Sequence, residues 1–408
     1  MRRVLFCAVF LLIALGAGAQ LQDRTLRADY IFSGTDKTVQ IALSSLSSFD
    51  TWAGRRVNLD KVPLRGNGQI CMTDAATGRV LYRMSFSTLF QEWQATEEAT
   101  RVSKAFQNVF LLPMPESPVN ISVELYDFEG ECSASLTHAV NPSDILIRPI
   151  GTKPPHTVDI HRGGSPADCI DIVMVPEGYT ESEMDLFLRD CTAAWHSFQN
   201  HEPFGSMQDR FNVIAAIIPS EDSGVSVPRS SDWKDTALES HFDTFYSDRY
   251  LTTLQLSHMH DLLAGLPYEH ILVLANSDTY GGGGIYNSYE LTAAHHQAFA
   301  PVVVHEFGHS FAGLADEYYY DDQFTEYYYP EVEPWEPNIT TMADFSTKWE
   351  DMMDLPDVGL FQGGGYQSKG VWRPAENCRM NTNAHPVFCP VCQRAITAMI
   401  NFYTVQNE

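Results

Sequence analysis

Positive charge is scarce in this sequence. Its 408 residues carry 26 Lys and Arg against 52 Asp and Glu, a formal charge of −26. Nucleic-acid binding depends on neutralising phosphates with Lys and Arg, so this balance argues against such a partner. The excess acid reads as a well-solvated surface. Long apolar runs are missing as well. The run at 4–15 is about a dozen residues, where a bilayer span needs roughly twenty, and no later run approaches that length. With Arg2 and Arg3 before it and Ala17-Gly18-Ala19 after it, the run has the layout of an export signal occupying residues 1–19. Cys7 lies inside the apolar core, which argues against lipid attachment. The expected mature protein is exported, to the periplasm, the cell surface or the medium. Cysteine is sparse and odd in number beyond that segment, so at least one thiol lacks an intrachain partner. Export permits disulfides, with Cys71 and Cys132 one candidate pair. The glycines at 281–284 are not followed by Lys-Ser/Thr and are no phosphate loop. Repeats are absent, apart from the tyrosine runs at 318–320 and 327–329.

Residues 20–150 read as all-β. Short alternating runs at 41–46, 69–72, 80–86, 109–112 and 119–126 are separated by turn signals such as Gly66-Asn67-Gly68, which predicts a β-sandwich. No chemistry-bearing cluster falls there, and a binding or spacer module is expected, with a glycan or protein as its ligand. A Pro/Gly-rich joint at 148–155 marks the boundary with a second domain, 151–408. There the period changes. Apolar strands at 170–175, 211–218 and 270–275 alternate with helices, one capped by Thr180 and Glu183 and running to about 200, another at 251–263. The glycine run leads into an edge strand at 285–290, followed by a helix over 292–313. The fold class is thus a β-sandwich followed by an α+β/α/β domain.

The last helix holds the chemistry. Histidines four apart share a helix face, so His305 and His309 can offer two imidazole nitrogens to one metal. Glu306 between them completes an HExxH pattern, in which zinc lowers the pKa of a water to about 7 and the carboxylate takes its proton. The bland alternative is two stacked surface histidines paired with acids. A catalytic zinc needs a third protein ligand, and Gly313 can end the helix and turn the chain back. Three residues later stands Asp316, the preferred ligand, with Glu317 as its rival. The acids 316–317 and 321–322 together are a candidate calcium cluster. Cys378, Cys389 and Cys392 either form a zinc knot with His385 or, as export favours, a disulfide from Cys378 to Cys389 or Cys392. The glycines at 281–284 read either as a mobile rim above the cleft, with residues 285–289 pairing to an extended substrate by strand addition, or as a plain β-turn. Cys191 and His196 share a helix that reads as structural.

Several motifs resemble one family, the IgA metallopeptidases of secreted bacterial proteins. They are Asp171-Ile172-Val173-Met174-Val175-Pro176-Glu177-Gly178-Tyr179-Thr180, the run from His305 through Ala315-Asp316-Glu317-Tyr318, the stretch 363–374, and Cys378-Arg379-Met380 with Phe388-Cys389-Pro390-Val391-Cys392. The β-rich part resembles the extra N-terminal domain of some members. The resemblance implies a metzincin-like fold and zinc-dependent endopeptidase activity on proteins or peptides, with His305, His309 and Asp316 as ligands and Glu306 as base. Two features depart from the metzincin pattern HExxHxxGxxH: the glycine comes one residue later, and Asp stands at the third ligand position. Met380 resembles the methionine of a Met-turn, an apolar floor beneath the metal. Cleavage of immunoglobulin A itself is not implied. Two other functions fit the same composition: a catalytically degenerate surface-binding protein, and a zinc amidase acting on cell-wall peptides.

Overall fold

The computed structural model describes residues 21–321 and 327–406. The expected export segment, 1–19, and Asp322 lie outside them. The N-terminal part comprises β1 (Leu21–Gly34), β2 (Val39–Phe49), β3 (Gly68–Asp74), β4 (Val80–Phe86), α1 (Leu89–Gln94), β5 (Lys104–Pro115), β6 (Val119–Tyr126), β7 (Cys132–Val140) and the short β8 (Arg148–Pro149). Two four-stranded sheets result, ordered β5-β1-β2-β8 and β4-β3-β6-β7. Leu26, Ala28, Tyr30 and Phe32 of β1 share a core with Ile121, Val123 and Leu125 of β6. The rings of Phe86 and Phe110 close the gap at 4.5 Å.

Sequence reading missed β1, and the reason is visible. Its inward residues alternate with Arg27 and Asp29, which are also buried. The Arg27 guanidinium donates to both Asp29 oxygens at 2.7 Å, to Asp261 at 2.6 Å and to the Ser257 carbonyl at 2.8 Å. Full pairing is what makes a buried charge tolerable. The strand is covered on both faces, and its polar face belongs to the contact with the second part of the chain.

That part contains β9 (Thr157–Arg162), β10 (Ile170–Glu177), α2 (Met184–Gln199), β11 (Phe211–Ala216), α3 (Leu256–Leu262), β12 (His270–Ala275), β13 (Gly282–Ile285), β14 (Tyr289–Ala293), α4 (Phe299–Ala312), β15 (Tyr319–Tyr320), β16 (Phe361–Gly364), β17 (Tyr366–Arg373) and α5 (Pro390–Thr404). Six strands form one sheet, β13-β14-β12-β10-β11-β9. Its four inner strands run parallel, and both edges are antiparallel. Strands covered on both faces need unbroken apolar runs, and every residue of β10, β11 and β12 is buried. Ile172 and Met174 face α2, α4 and α5, whereas Val173 and Val175 share a core with the N-terminal sheets. β15, β17 and β16 make a small separate sheet.

Three expected boundaries moved. The helix at 251–263 is confined to Leu256–Leu262. The expected helix 292–313 begins only at Phe299, because 289–293 pairs beside β12 as a parallel strand. The glycines are not a loop before the edge strand; they are the edge strand. Gly282–Ile285 pairs with β14, and 286–288 is the turn.

Candidate active site

Those glycines let α4 pass against the sheet edge. A Cβ on Gly284 would fall 2.2 Å from the Glu306 backbone oxygen, and one on Gly282 would fall 2.9 Å from the Glu306 carboxylate. The outer side of the edge is partly taken, since Tyr250 bridges Gly282 and the Gly282 N–H donates to the Arg249 carbonyl at 3.4 Å. Strand addition along residues 285–289, considered from sequence, is therefore not available: most of those residues form the turn and β14.

α4 ends at Gly313, whose φ of 61° is the left-handed conformation glycine adopts without penalty. The chain turns back and brings Asp316 Oδ1 to 3.0 Å from His305 Nε2 and 3.3 Å from His309 Nε2. The two Nε2 atoms are 3.1 Å apart. Each opposite ring nitrogen is committed to a backbone carbonyl: His305 Nδ1 to Arg379 at 3.0 Å, and His309 Nδ1 to Leu314 at 2.6 Å. A carbonyl only accepts, so each Nδ1 carries a hydrogen and each Nε2 is the nitrogen left to face Asp316, able to offer its lone pair to a metal once it gives up any proton it holds. Asp316 Oδ1 is buried, and the two imidazole nitrogens are the polar groups it faces. Three electron-pair donors thus converge on one point, a donor set that fits a small divalent cation.

The surroundings hold these groups in place. The Tyr366 hydroxyl donates to Asp316 Oδ2, and the Gly365 N–H donates to the Asp316 carbonyl at 2.7 Å. Tyr366 has a φ of 68°, a left-handed backbone that an aromatic residue rarely adopts. Beneath the helix, Met380 is fully buried, and a Cβ on Gly308 would sit 2.9 Å from its sulfur. The glycine inside the HExxH segment therefore admits Met380 directly under the histidines. Burial raises the Glu306 carboxyl above its ordinary range, partly opposed by His305 and His309. Burial alone would depress His309, but the Asp316 carboxylate outweighs it and holds the imidazole at about 9.

A cleft of about 860 Å³ opens over these residues. Tyr318, Tyr320 and Tyr366 line one part, while Arg65, Glu92 and Phe128 of the N-terminal domain line another. Sequence reading missed Glu92. It accepts from the Tyr250 hydroxyl, and burial pushes its carboxyl up to about 7. Nothing local to α1 pointed to the cleft.

Of the two rival ligands, Glu317 turns away. It is fully buried, accepts from Asn338 Nδ2 at 3.0 Å, and its N–H donates to the Met380 carbonyl at 2.8 Å. The candidate calcium cluster is not assembled by its described members, because Asp316 faces the histidines, Glu317 faces Cys392 and Asp321 is exposed. The cysteines from Cys71 onward are all free thiols. Cys71 and Cys132 lie on β3 and β7 with β6 between them, too far apart to bridge. The Sγ atoms of Cys378 and Cys392 are 3.7 Å apart. Those two cysteines group with Cys389 and Glu317, not with His385. Cys191 is buried in α2 while His196 faces solvent, so they form no reactive pair.

No curated protein matches the chain. The sequence profile of the IgA Peptidase M64 family, however, matches residues 158–357 and 353–400, and that of the Peptidase M64 N-terminus matches 19–137. These matches show that the chain belongs to the IgA Peptidase M64 family, a peptidase carrying the family's N-terminal β domain, and its α4 carries a partly buried His305, Glu306 and His309 group able to hold a metal ion.

Proposed function

We propose that this peptidase is an exported, zinc-dependent endopeptidase of metzincin-like architecture, with His305, His309 and Asp316 as metal ligands and Glu306 as general base. The observation that carries the reading is the convergence of the two Nε2 atoms and the buried Asp316 Oδ1 beside Glu306. When bound there, zinc would supply Lewis acidity and lower the pKa of a water to about 7. The protein's own groups do the rest. Glu306 takes the proton of the attacking water and hands it to the leaving amine, and its burial-raised carboxyl suits both roles. Tyr366 fixes the Asp316 carboxylate by holding Oδ2, which leaves Oδ1 aimed at the histidines. The tyrosine-rich cleft accommodates an unfolded segment of a protein substrate, with the N-terminal domain forming one wall. Export rests on the sequence pattern at residues 1–19.

The intact set of His305, Glu306 and His309 counts against the degenerate alternative. The test compares wild type with Glu306→Gln, measuring zinc content and cleavage of proteome-derived peptides. The variant should keep its zinc and lose on the order of 10²–10⁴-fold in hydrolysis, because an amide cannot take the water's proton. Unchanged activity would sink the mechanism.

A further inference from the structure

Behind the catalytic cluster lies a second group of metal-ligating atoms. The Sγ atoms of Cys378, Cys389 and Cys392 and a carboxylate oxygen of Glu317 all lie within 4.8 Å of one another, and all four residues are buried. Cys389 and Cys392 form a CxxC pair at the start of α5, with Cys378 joining from the segment that carries Met380. We propose that these four residues hold a second, purely structural zinc ion.

Distances distinguish this from a disulfide. Zn–S bonds of about 2.3 Å in a tetrahedron put sulfurs roughly 3.8 Å apart, whereas a disulfide needs about 2.05 Å. Cys378 and Cys392 are 3.7 Å apart, and Cys392 Sγ lies 3.2 Å from Glu317 Oε1. Backbone N–H groups already point at the sulfurs: Cys389 N and Met380 N toward Cys378 at 3.2 and 3.5 Å, and Cys392 N toward Cys389 at 3.5 Å. Such donors favour thiolate, the form that binds metal. Independently, Glu317 is fully buried, its Oε2 has no hydrogen-bond partner, and no Lys or Arg among the described residues forms an ion pair with it. A buried carboxylate without a counter-charge is costly; a divalent cation among three thiolates removes that cost. Soft sulfur ligands in a closed, four-ligand cage select zinc over calcium or magnesium.

The site would pin three segments that shape the catalytic centre: the loop presenting Asp316, the turn presenting Met380, and the N-terminus of α5. It does not depend on the peptidase mechanism.

Metal analysis of the folded, full-length protein should find two zinc ions per chain. His305→Ala/His309→Ala should retain one, and Cys389→Ser/Cys392→Ser should lose that one. Cobalt substitution of the His305→Ala/His309→Ala protein should give an intense near-ultraviolet thiolate-to-cobalt band. In the wild type, a single zinc together with a mass two hydrogens lighter under non-reducing conditions would mean a disulfide and overturn the proposal. A single zinc that is lost in His305→Ala/His309→Ala would overturn it as well, whereas a single zinc retained there would count against the catalytic ion alone. If a variant fails to fold, cobalt-loaded wild type decides the matter, since the absence of a thiolate-to-cobalt band overturns the proposal.

Discussion

Asp316 and Glu317 are adjacent acids, yet they serve opposite sides of one segment. Asp316 meets the two histidines at the floor of a cleft, where His305 and His309 keep 12% and 16% of their side-chain surface exposed. Glu317 faces three buried sulfurs with no exposure at all. Successive side chains of an extended chain point to opposite faces, so one peptide step separates an open site from a closed one. The openness sets the chemistry. Three ligands and an accessible side suit a metal that must admit water, whereas four enclosed ligands suit a metal that only braces. Sulfur belongs in the closed site, and the harder nitrogen and oxygen donors belong where substrate arrives.

The sharpest way to break this contrast is to remove each acid in turn. Asp316→Ala should weaken catalytic zinc binding by several orders of magnitude, measured by chelator competition. Glu317→Gln, which acts through the position of the loop, should weaken it only about ten- to a hundredfold. A reversed order would mean that the two acids had been assigned to the wrong sites. A smaller effect is expected where the two sites share a wall. Gly308→Ala would press a methyl against the Met380 sulfur at 2.9 Å, and such overpacking costs about 1–3 kcal/mol. Thermal unfolding should show the loss, and a neutral result would mean that Met380 moves freely beneath the helix.

The last effect concerns pH. The Asp316 carboxylate holds His309 at about 9, so below that pH a proton and the metal compete for the same lone pair. Metal uptake at the open site should release a proton, and apparent affinity should fall as pH falls, by up to about tenfold per unit. Metal-buffered titrations between about pH 6 and 8 would show it. A flat profile would mean that His309 is already neutral in the metal-free protein.

Much of the proposed catalytic cluster was legible because it is local. The four-residue histidine spacing puts both rings on one helix face, and Gly313 ends that helix as its position implied. Strands β3, β4, β6, β10 and β12 followed from alternation or from unbroken apolar runs. β1 stayed hidden because Arg27 and Asp29 mask its second buried face, and that face exists only once α3 packs against it. The glycine run misled for a similar reason: its lack of side chains reads as a loop, but the passage of α4 demands it in a strand.

By itself, then, the sequence determined which residues could bind metal and which helix would present them, since spacing along a helix is dictated by backbone geometry. Only the tertiary structure decided that Asp316 and not Glu317 meets the histidines. It also brought Tyr366 from fifty residues away to hold Asp316, and set Glu92 of the N-terminal domain in the wall of the cleft. The same holds for the cysteines, which gather around Glu317 and not around His385. Each of these is a contact between segments distant in sequence. Such contacts are selected by which faces the packed sheets and helices leave available, and no local pattern records that choice.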